Sequence, residues 1–243
     1  MKFAIQLYSI RDVISSGDDM LKALETVKDI GFDGVEFAGF YGLSAETLKK
    51  KLDDLGLVCV GAHMGRDDFL PENLTKTLDF MQTLGAFAVG VGGAPTDTET
   101  ELQETIRVLG HADEEAKKRG MRVYYHNHTE EFKRPYFAEG PGTVFDRLKE
   151  HMAMEIDTYW SFVAGQDNAV LIPANKAHVV HLHLKDGKNR VPTALGEGEN
   201  DLKKVVDAAK EIGLDWLILE NDDPVPDGPS DARRSMAWLE ANA

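Results

Sequence analysis

The sequence predicts a single α/β domain, residues 1–243, built as a closed barrel of eight parallel strands alternating with about eight helical segments. Three observations lead there. The chain has 243 residues, and one barrel of this kind commonly occupies about 250. A helix-period segment, then glycine, then a short apolar run recurs at Ile30-Gly31-Phe32, Leu55-Gly56-Leu57, Leu84-Gly85-Ala86, Arg119-Gly120-Met121 and Ile212-Gly213-Leu214. The apolar runs are mostly continuous rather than alternating, as parallel strands covered on both faces require.

Each of those glycines tolerates the left-handed backbone that ends a helix, so each reads as a stop that feeds the next strand. Strands are expected near 3–8, 34–38, 57–63, 86–91, 121–127, 153–157, 178–184 and 215–220. The first leads into Tyr8-Ser9-Ile10-Arg11-Asp12, which is not a glycine-rich phosphate loop. After the second strand, Ser44 is the predicted N-cap of a helix whose Leu48, Leu52 and Leu55 share one face. Segment 98–119, rich in Glu, Leu and Ala, is predicted as another helix. No low-complexity linker divides the chain, so one domain is expected. The architectural rival to this (β/α)₈ TIM barrel is an open, doubly wound sheet, which counting elements does not separate from it.

Composition narrows the function classes. A formal net charge of −15 opposes sequence-independent binding to nucleic acid, whose phosphates would be repelled. The one cysteine, Cys59, lies in the apolar run Leu57-Val58-Cys59-Val60, so no disulfide framework is available and a reducing, cytoplasmic setting is expected. Polar residues enter Met1-Lys2-Phe3-Ala4-Ile5-Gln6 too early for a signal-peptide core. No apolar stretch approaches the roughly 20 residues of a membrane span. No membrane partner is expected.

Histidines and acids gather where a barrel carries its chemistry. His63, His126, His128, His181 and His183 fall at or near predicted strand C-terminal ends, the face on which barrel enzymes build their sites. Acids close runs at the same level: Glu36 after the second strand, Asp157 after the sixth and Glu220 after the eighth. In His181-Leu182-His183 the two imidazoles share one strand face and Leu182 takes the other. Two buried histidines need partners; a hydrogen-bonded core pair is the plain alternative to a ligand pair. Asp157 and Glu220 would each serve equally as a helix N-cap or a solvated strand end. Together with the histidines they form a mixed nitrogen and oxygen set suited to Mn²⁺, Zn²⁺, Co²⁺ or Mg²⁺.

At these residues the sequence resembles the sugar phosphate isomerase/epimerase superfamily, the xylose isomerase-like barrels that include ketose 3-epimerases, inosose dehydratases and endonuclease IV. The resemblance runs through Gln6-Leu7-Tyr8-Ser9-Ile10-Arg11, Gly34-Val35-Glu36, Gly61-Ala62-His63 and Tyr125-His126-Asn127-His128. It continues through Glu155-Ile156-Asp157-Thr158-Tyr159-Trp160, His181-Leu182-His183-Leu184-Lys185-Asp186, Gly196-Glu197-Gly198-Glu199 and Leu219-Glu220. It implies a divalent metal held by Asp157, His183 and Glu220, with His126 at the place of the glutamate that ketose 3-epimerases carry on the fifth strand. That exchange makes the site less negative and removes one of two acid/base carboxylates. The HNH run resembles the branch near inosose dehydratase and enzymes of 3-keto-glycosides.

The resemblance implies a keto-sugar or related polyol that chelates the metal, loses a C–H proton to Glu220 or His126, and passes through an enediolate. Proton return gives isomerisation or epimerisation; expulsion of a β-substituent gives dehydration or glycoside elimination. Gln6, Tyr8, His63, His128, His181 and Lys185 are the expected substrate contacts. Lys185 is read either as a cation for a sugar oxygen or as the ion-pair partner of Asp186. Trp160 either stacks on a sugar or packs its loop, Glu131 anchors His128 or substrate, and Glu36 orients a ligand. A homodimer is the expected assembly, since related barrels often pair. The rivals are a DNA-repair endonuclease of the same superfamily and a sugar-binding barrel without chemistry.

Overall fold

The continuous apolar runs become parallel strands because both of their faces are covered, one by the barrel interior and one by helices. The computed structural model of the chain describes residues 1–135 and 142–243. Its barrel strands are β1 (Lys2–Gln6), β2 (Gly34–Phe37), β3 (Val58–Ala62), β4 (Ala88–Val91), β5 (Arg122–His126), β6 (Ala153–Asp157) and β7 (Val179–Leu184). After a hairpin of β8 (Asp186–Lys188) and β9 (Val191–Thr193), β10 (Trp216–Leu219) supplies the eighth stave. Neighbours run in the order β3-β2-β1-β10-β7-β6-β5-β4. A parallel bridge between His63 and Gly90 joins the two ends, and Met64 donates its N–H to the Gly90 carbonyl at 2.8 Å. That junction makes the structure a barrel rather than an open sheet. Each barrel strand lies within two residues of its expected limits; the β8–β9 hairpin had no sequence signal.

Local chemistry explains the helices. In α2 (Ala45–Leu55) Ser44 caps the start by accepting the Thr47 N–H at 3.2 Å, and Gly56 ends it at φ +64°. Gly31, Gly85 and Gly213 likewise cap the ends of α1 (Gly17–Ile30), α3 (Pro71–Leu84) and α9 (Leu202–Ile212). The long α4 (Glu99–Lys117) starts with a capping box between Thr98 and Glu101. It stops before Gly120, which turns the chain into β5 at φ +72°. Shorter helices α5 (Glu130–Lys133), α6 (Val144–Leu148), α7 (Thr158–Val163) and α8 (Asn168–Ala174) precede the hairpin, and α10 (Gly228–Asn242) closes the chain.

Burial separates two apolar populations. The larger lies between strands and helices and includes Ile5, Val35, Val123, Ile156, Leu182 and Leu217. Inside the barrel, Ala4, Val60 and Ile218 form one small cluster, and Ala88, Tyr124 and Ala153 another. These inner residues plug the barrel near the strand starts and leave the C-terminal end to polar groups. Gly90 is needed for this arrangement: a Cβ there would meet the Tyr124 ring and carbonyl at 2.3 Å. Only glycine lets Tyr124 cross the interior and donate its hydroxyl to Glu36 on β2.

Candidate metal centre

Residues two apart on a strand share a face, so β5, β6 and β7 carry their polar side chains inward at two levels. The deeper level holds Glu36, Glu155 and His181. The upper level holds His126, Asp157, His183 and Glu220, each offering one ligand atom within 4.8 Å of all the others. The four residues expected to hold the metal therefore converge.

Asp157 combines both roles anticipated for it. Its Oδ1 caps α7 by accepting the N–H groups of Tyr159 at 2.9 Å and Trp160 at 2.8 Å. Its Oδ2 is buried without a hydrogen-bond partner among the described residues. Lys185 Nζ lies 3.2 Å from that oxygen, but its hydrogen bonds go to Glu220, at 3.0 Å, and to Asp222. His126 Nε2 faces the same oxygen at 3.8 Å, too far for a hydrogen bond. Burial drives the His126 pKa down to about 3, so the ring is neutral and carries a lone pair.

His183 is held from both sides. Its Nδ1 lies 2.9 Å from Glu220 Oε2, and its Nε2 lies 2.7 Å from Glu36 Oε2 and 3.2 Å from Glu155 Oε2. Burial disfavours the imidazolium, but Glu155, Glu220 and Glu36 outweigh it and hold the His183 pKa well above its ordinary value. Burial would likewise raise Glu220, yet Lys185 and His183 hold its carboxyl well below the usual range. The imidazolium and carboxylate forms thus favour each other across the 2.9 Å between His183 Nδ1 and Glu220 Oε2, and a divalent cation would satisfy the same pair of atoms. With the orphaned Asp157 Oδ2 and the His126 lone pair beside it, the donor set fits such a cation.

A cavity of about 490 Å³ opens above this cluster. Of the expected substrate contacts, Tyr8, His63 and His128 line it, together with Trp160. Glu131 anchors His128 by accepting its backbone N–H at 2.8 Å. Gln6 lies below the cavity: β1 ends there, and its side chain accepts the Tyr8 N–H at 3.1 Å while donating to Glu36 at 2.8 Å. Tyr8 belongs to the following 3-10 turn and not to the strand face. His181 is also deep, 1% exposed, with Nδ1 3.2 Å from Glu155 Oε1. Lys185 pairs with Asp157, Glu220 and Asp222, not with Asp186. Asp186 instead accepts the backbone N–H groups of Gly187, Gly196, Gly198 and Asn200 at 2.9–3.1 Å, which fixes the Gly196-Glu197-Gly198-Glu199 loop.

Sequence reasoning missed three residues. Glu155 lies among four histidines: His63 Nε2 at 2.6 Å, His126 Nδ1, His181 Nδ1 and His183 Nε2, the last three each at 3.2 Å. Its position two residues before Asp157 was the available signal, the same alternation that pairs His181 with His183. Burial would raise Glu155, but His183 and His63 charges and bonds from His126 and His181 hold it well below the usual range. Asp222 follows β10 at the cavity wall, and Tyr124 crosses the barrel; neither stands in a pattern that sequence alone would mark.

The model of the family described as xylose isomerase-like TIM barrel matches residues 24–242. A sugar phosphate isomerase/epimerase from Parabacteroides distasonis is similar at 21% identity, over 99% of this chain and 94% of that one, with a TM-score of 0.79. A probable 3-DHS dehydratase from Bacillus anthracis is similar at 16% identity, over 99% of each chain, with a TM-score of 0.76. A D-allulose 3-epimerase from Methylomonas sp., solved with D-allulose, is similar at 14% identity, over 100% of this chain and 97% of that one, with a TM-score of 0.74. No curated protein matches the sequence. No helix among the described residues is long and apolar enough to cross a membrane.

Proposed function

The chain belongs to the xylose isomerase-like TIM barrel family, and from that premise we propose that it is a divalent-metal-dependent isomerase or epimerase of a keto-sugar or related polyol. One observation carries the reading. Among the described residues the buried Asp157 Oδ2 accepts no hydrogen bond; it has only the Lys185 ammonium beside it, at 3.2 Å, and faces ligand atoms of His126, His183 and Glu220 at the floor of an open cavity. His126 Nε2, Asp157 Oδ2, His183 Nδ1 and a Glu220 oxygen would hold the metal. A cation bound there acts as a Lewis acid on a substrate carbonyl and lowers the energy of the adjacent carbanion.

The chain's own groups divide the remaining work. Glu220 is ionised and lines the cavity, so it accepts the proton from the carbon beside the carbonyl. His63 lines the same cavity. Burial lowers its pKa, but Glu36 and Glu155 outweigh that and hold it above the ordinary value, and we assign it the part of the acid. An ionised carboxylate and an imidazole of raised pKa at one cavity make the acid–base pair that enolisation requires. Tyr8, His128 and Trp160 offer two polar groups and one flat ring to a polyol. Two carboxylates in the wall, Glu220 and Asp222, disfavour a nucleic-acid phosphodiester.

A second reading, a lyase acting on an inosose or 3-keto-glycoside, is favoured by His126. With imidazole where ketose 3-epimerases carry glutamate, Glu220 remains the carboxylate base, and β-elimination needs one carbon base whereas epimerisation needs groups on two faces. The test is to incubate metal-loaded protein with ketoses, inososes and 3-keto-glycosides in D₂O. Deuterium entering carbon identifies the reacting position and separates isomer from elimination product. Asp157→Ala should weaken metal binding by more than about 100-fold and abolish exchange. An absence of exchange in all three classes, or retention of metal by the variant, overturns the reading.

A further inference from the structure

We propose that Glu155 is a positioning residue of this centre, fixing the tautomer and ring plane of His126 and, together with Glu36, those of His183, so that one nitrogen of each faces a single cation. The inference rests on the metal reading above. Glu155 is fully buried, does not line the cavity, and sits on β6 two residues before Asp157. It is therefore placed to act through other side chains and not on substrate.

An ionised carboxylate only accepts hydrogen bonds, whereas a neutral imidazole has one donor and one acceptor nitrogen. His126 Nδ1 lies 3.2 Å from Glu155 Oε2, so the ring hydrogen is there and Nε2 keeps its lone pair. That Nε2 faces Asp157 Oδ2 at 3.8 Å, a separation that two atoms each about 2.1 Å from one cation span comfortably. His183 is oriented the opposite way round. Its Nε2 donates to Glu36 at 2.7 Å with Glu155 at 3.2 Å, which turns Nδ1 toward Glu220. His63 and His181 complete the ring of donors on the same carboxylate. This is the outer carboxylate–histidine arrangement that orients metal ligands in general.

The chemistry explains why an acid and not its amide stands here. A glutamine would present an NH₂ group to at least one of the facing ring nitrogens. At His126 that would move the ring hydrogen to Nε2, aim it at Asp157 and close the coordination position. His63, His126, Glu155 and His183 also offer atoms within 4.8 Å of one another. A second cation among them would need the remaining nitrogens of both His126 and His183, which means stripping both ring hydrogens. The outer role avoids that cost.

The test is Co²⁺ titration of the full-length chain, read by its visible absorption, for wild type, Glu155→Gln and Glu155→Asp. We expect one Co²⁺ per chain, an affinity loss of about 10- to 100-fold with an altered spectrum in Glu155→Gln, and recovery of the wild-type spectrum in Glu155→Asp. As a readout that needs no variant, ¹⁵N-histidine spectra of the Zn²⁺-loaded wild type should show His126 metallated at Nε2 with hydrogen on Nδ1. His183 should show the reverse. Unchanged affinity and spectrum in a folded Glu155→Gln, or the opposite His126 tautomer, overturns the inference. Two Co²⁺ per chain with one lost in Glu155→Gln does the same, because Glu155 would then be a ligand. A wild type that binds no Co²⁺ removes the metal reading itself and is seen before any variant is made.

Discussion

Replacing Lys185 with methionine tests the charge balance of the centre in the metal-free state. The ammonium is fully buried and lies 3.0 Å from Glu220 Oε2 and 3.2 Å from Asp157 Oδ2. Each contact is worth about 5 kcal/mol of gross attraction at an effective dielectric of about 20. Asp222, a third exposed, is screened by solvent and adds little. Much of the gross attraction offsets desolvation, and removing one partner of a buried pair costs about 3–5 kcal/mol because the other charge is stranded. In a chain of this size that is a fall in Tm of about 6–20 °C. Burial opposes the Lys185 charge, but Asp157, Glu220 and Asp222 raise its pKa above the ordinary lysine value, so it stays charged at neutral pH. The assay is thermal unfolding of wild type and Lys185→Met in EDTA and again with Mn²⁺. The gap should be large in EDTA and narrow with Mn²⁺, because the cation supplies the missing positive charge; binding at 100 times Kd alone adds about 2.7 kcal/mol. A variant as stable as wild type in EDTA would refute the argument, and so would a gap that Mn²⁺ leaves unchanged.

Three further outcomes follow from the packing and the loops. Gly90→Ala should destabilise the chain by about 1–3 kcal/mol through overpacking, since its Cβ would sit 2.3 Å from the Tyr124 ring; denaturant unfolding measures this, and a neutral result refutes it. Asp186→Ala frees four backbone N–H groups of the hairpin and the 196–200 segment. Charge-assisted bonds are worth about 1.5–3 kcal/mol each before water replaces them, so limited proteolysis should cut that segment faster than in wild type. Burial would raise Asp113, but hydrogen bonds from Arg122, Lys117 and the Val123 N–H outweigh it and hold its pKa below the ordinary value. A depressed acid contributes stability above its unfolded pKa, about 3.9, and loses it as pH falls through the folded value. Asp113→Asn should therefore flatten the acid limb of the stability curve below about pH 4; an unchanged limb would show that Asp113 does not contribute to it.

Strand alternation and glycine punctuation are properties of neighbouring residues, so they can be read along the chain. That is why the eight barrel strands, the Ser44 cap and the stops at Gly31, Gly56, Gly85 and Gly213 agree with expectation. The grouping of His126, Asp157, His183 and Glu220 was legible too, because a barrel brings every strand end to one rim. Depth was not legible. Gln6 and His181 have the polarity of substrate contacts, yet they lie a layer below the cavity, while Tyr8 reaches it from a turn. Partner choice across the barrel was equally hidden: Lys185 turns from its neighbour Asp186 to three acids on other elements. Periodicity tells which way a side chain leaves its strand, so the sequence determined the barrel and the set of groups that enter it. Which oxygen is left without a donor, and which carboxylate four histidines share, depends on distances between strands far apart in the chain. Only the closed tertiary structure decided those, and in doing so it moved Glu155 from an unremarked strand residue to the centre of the polar core.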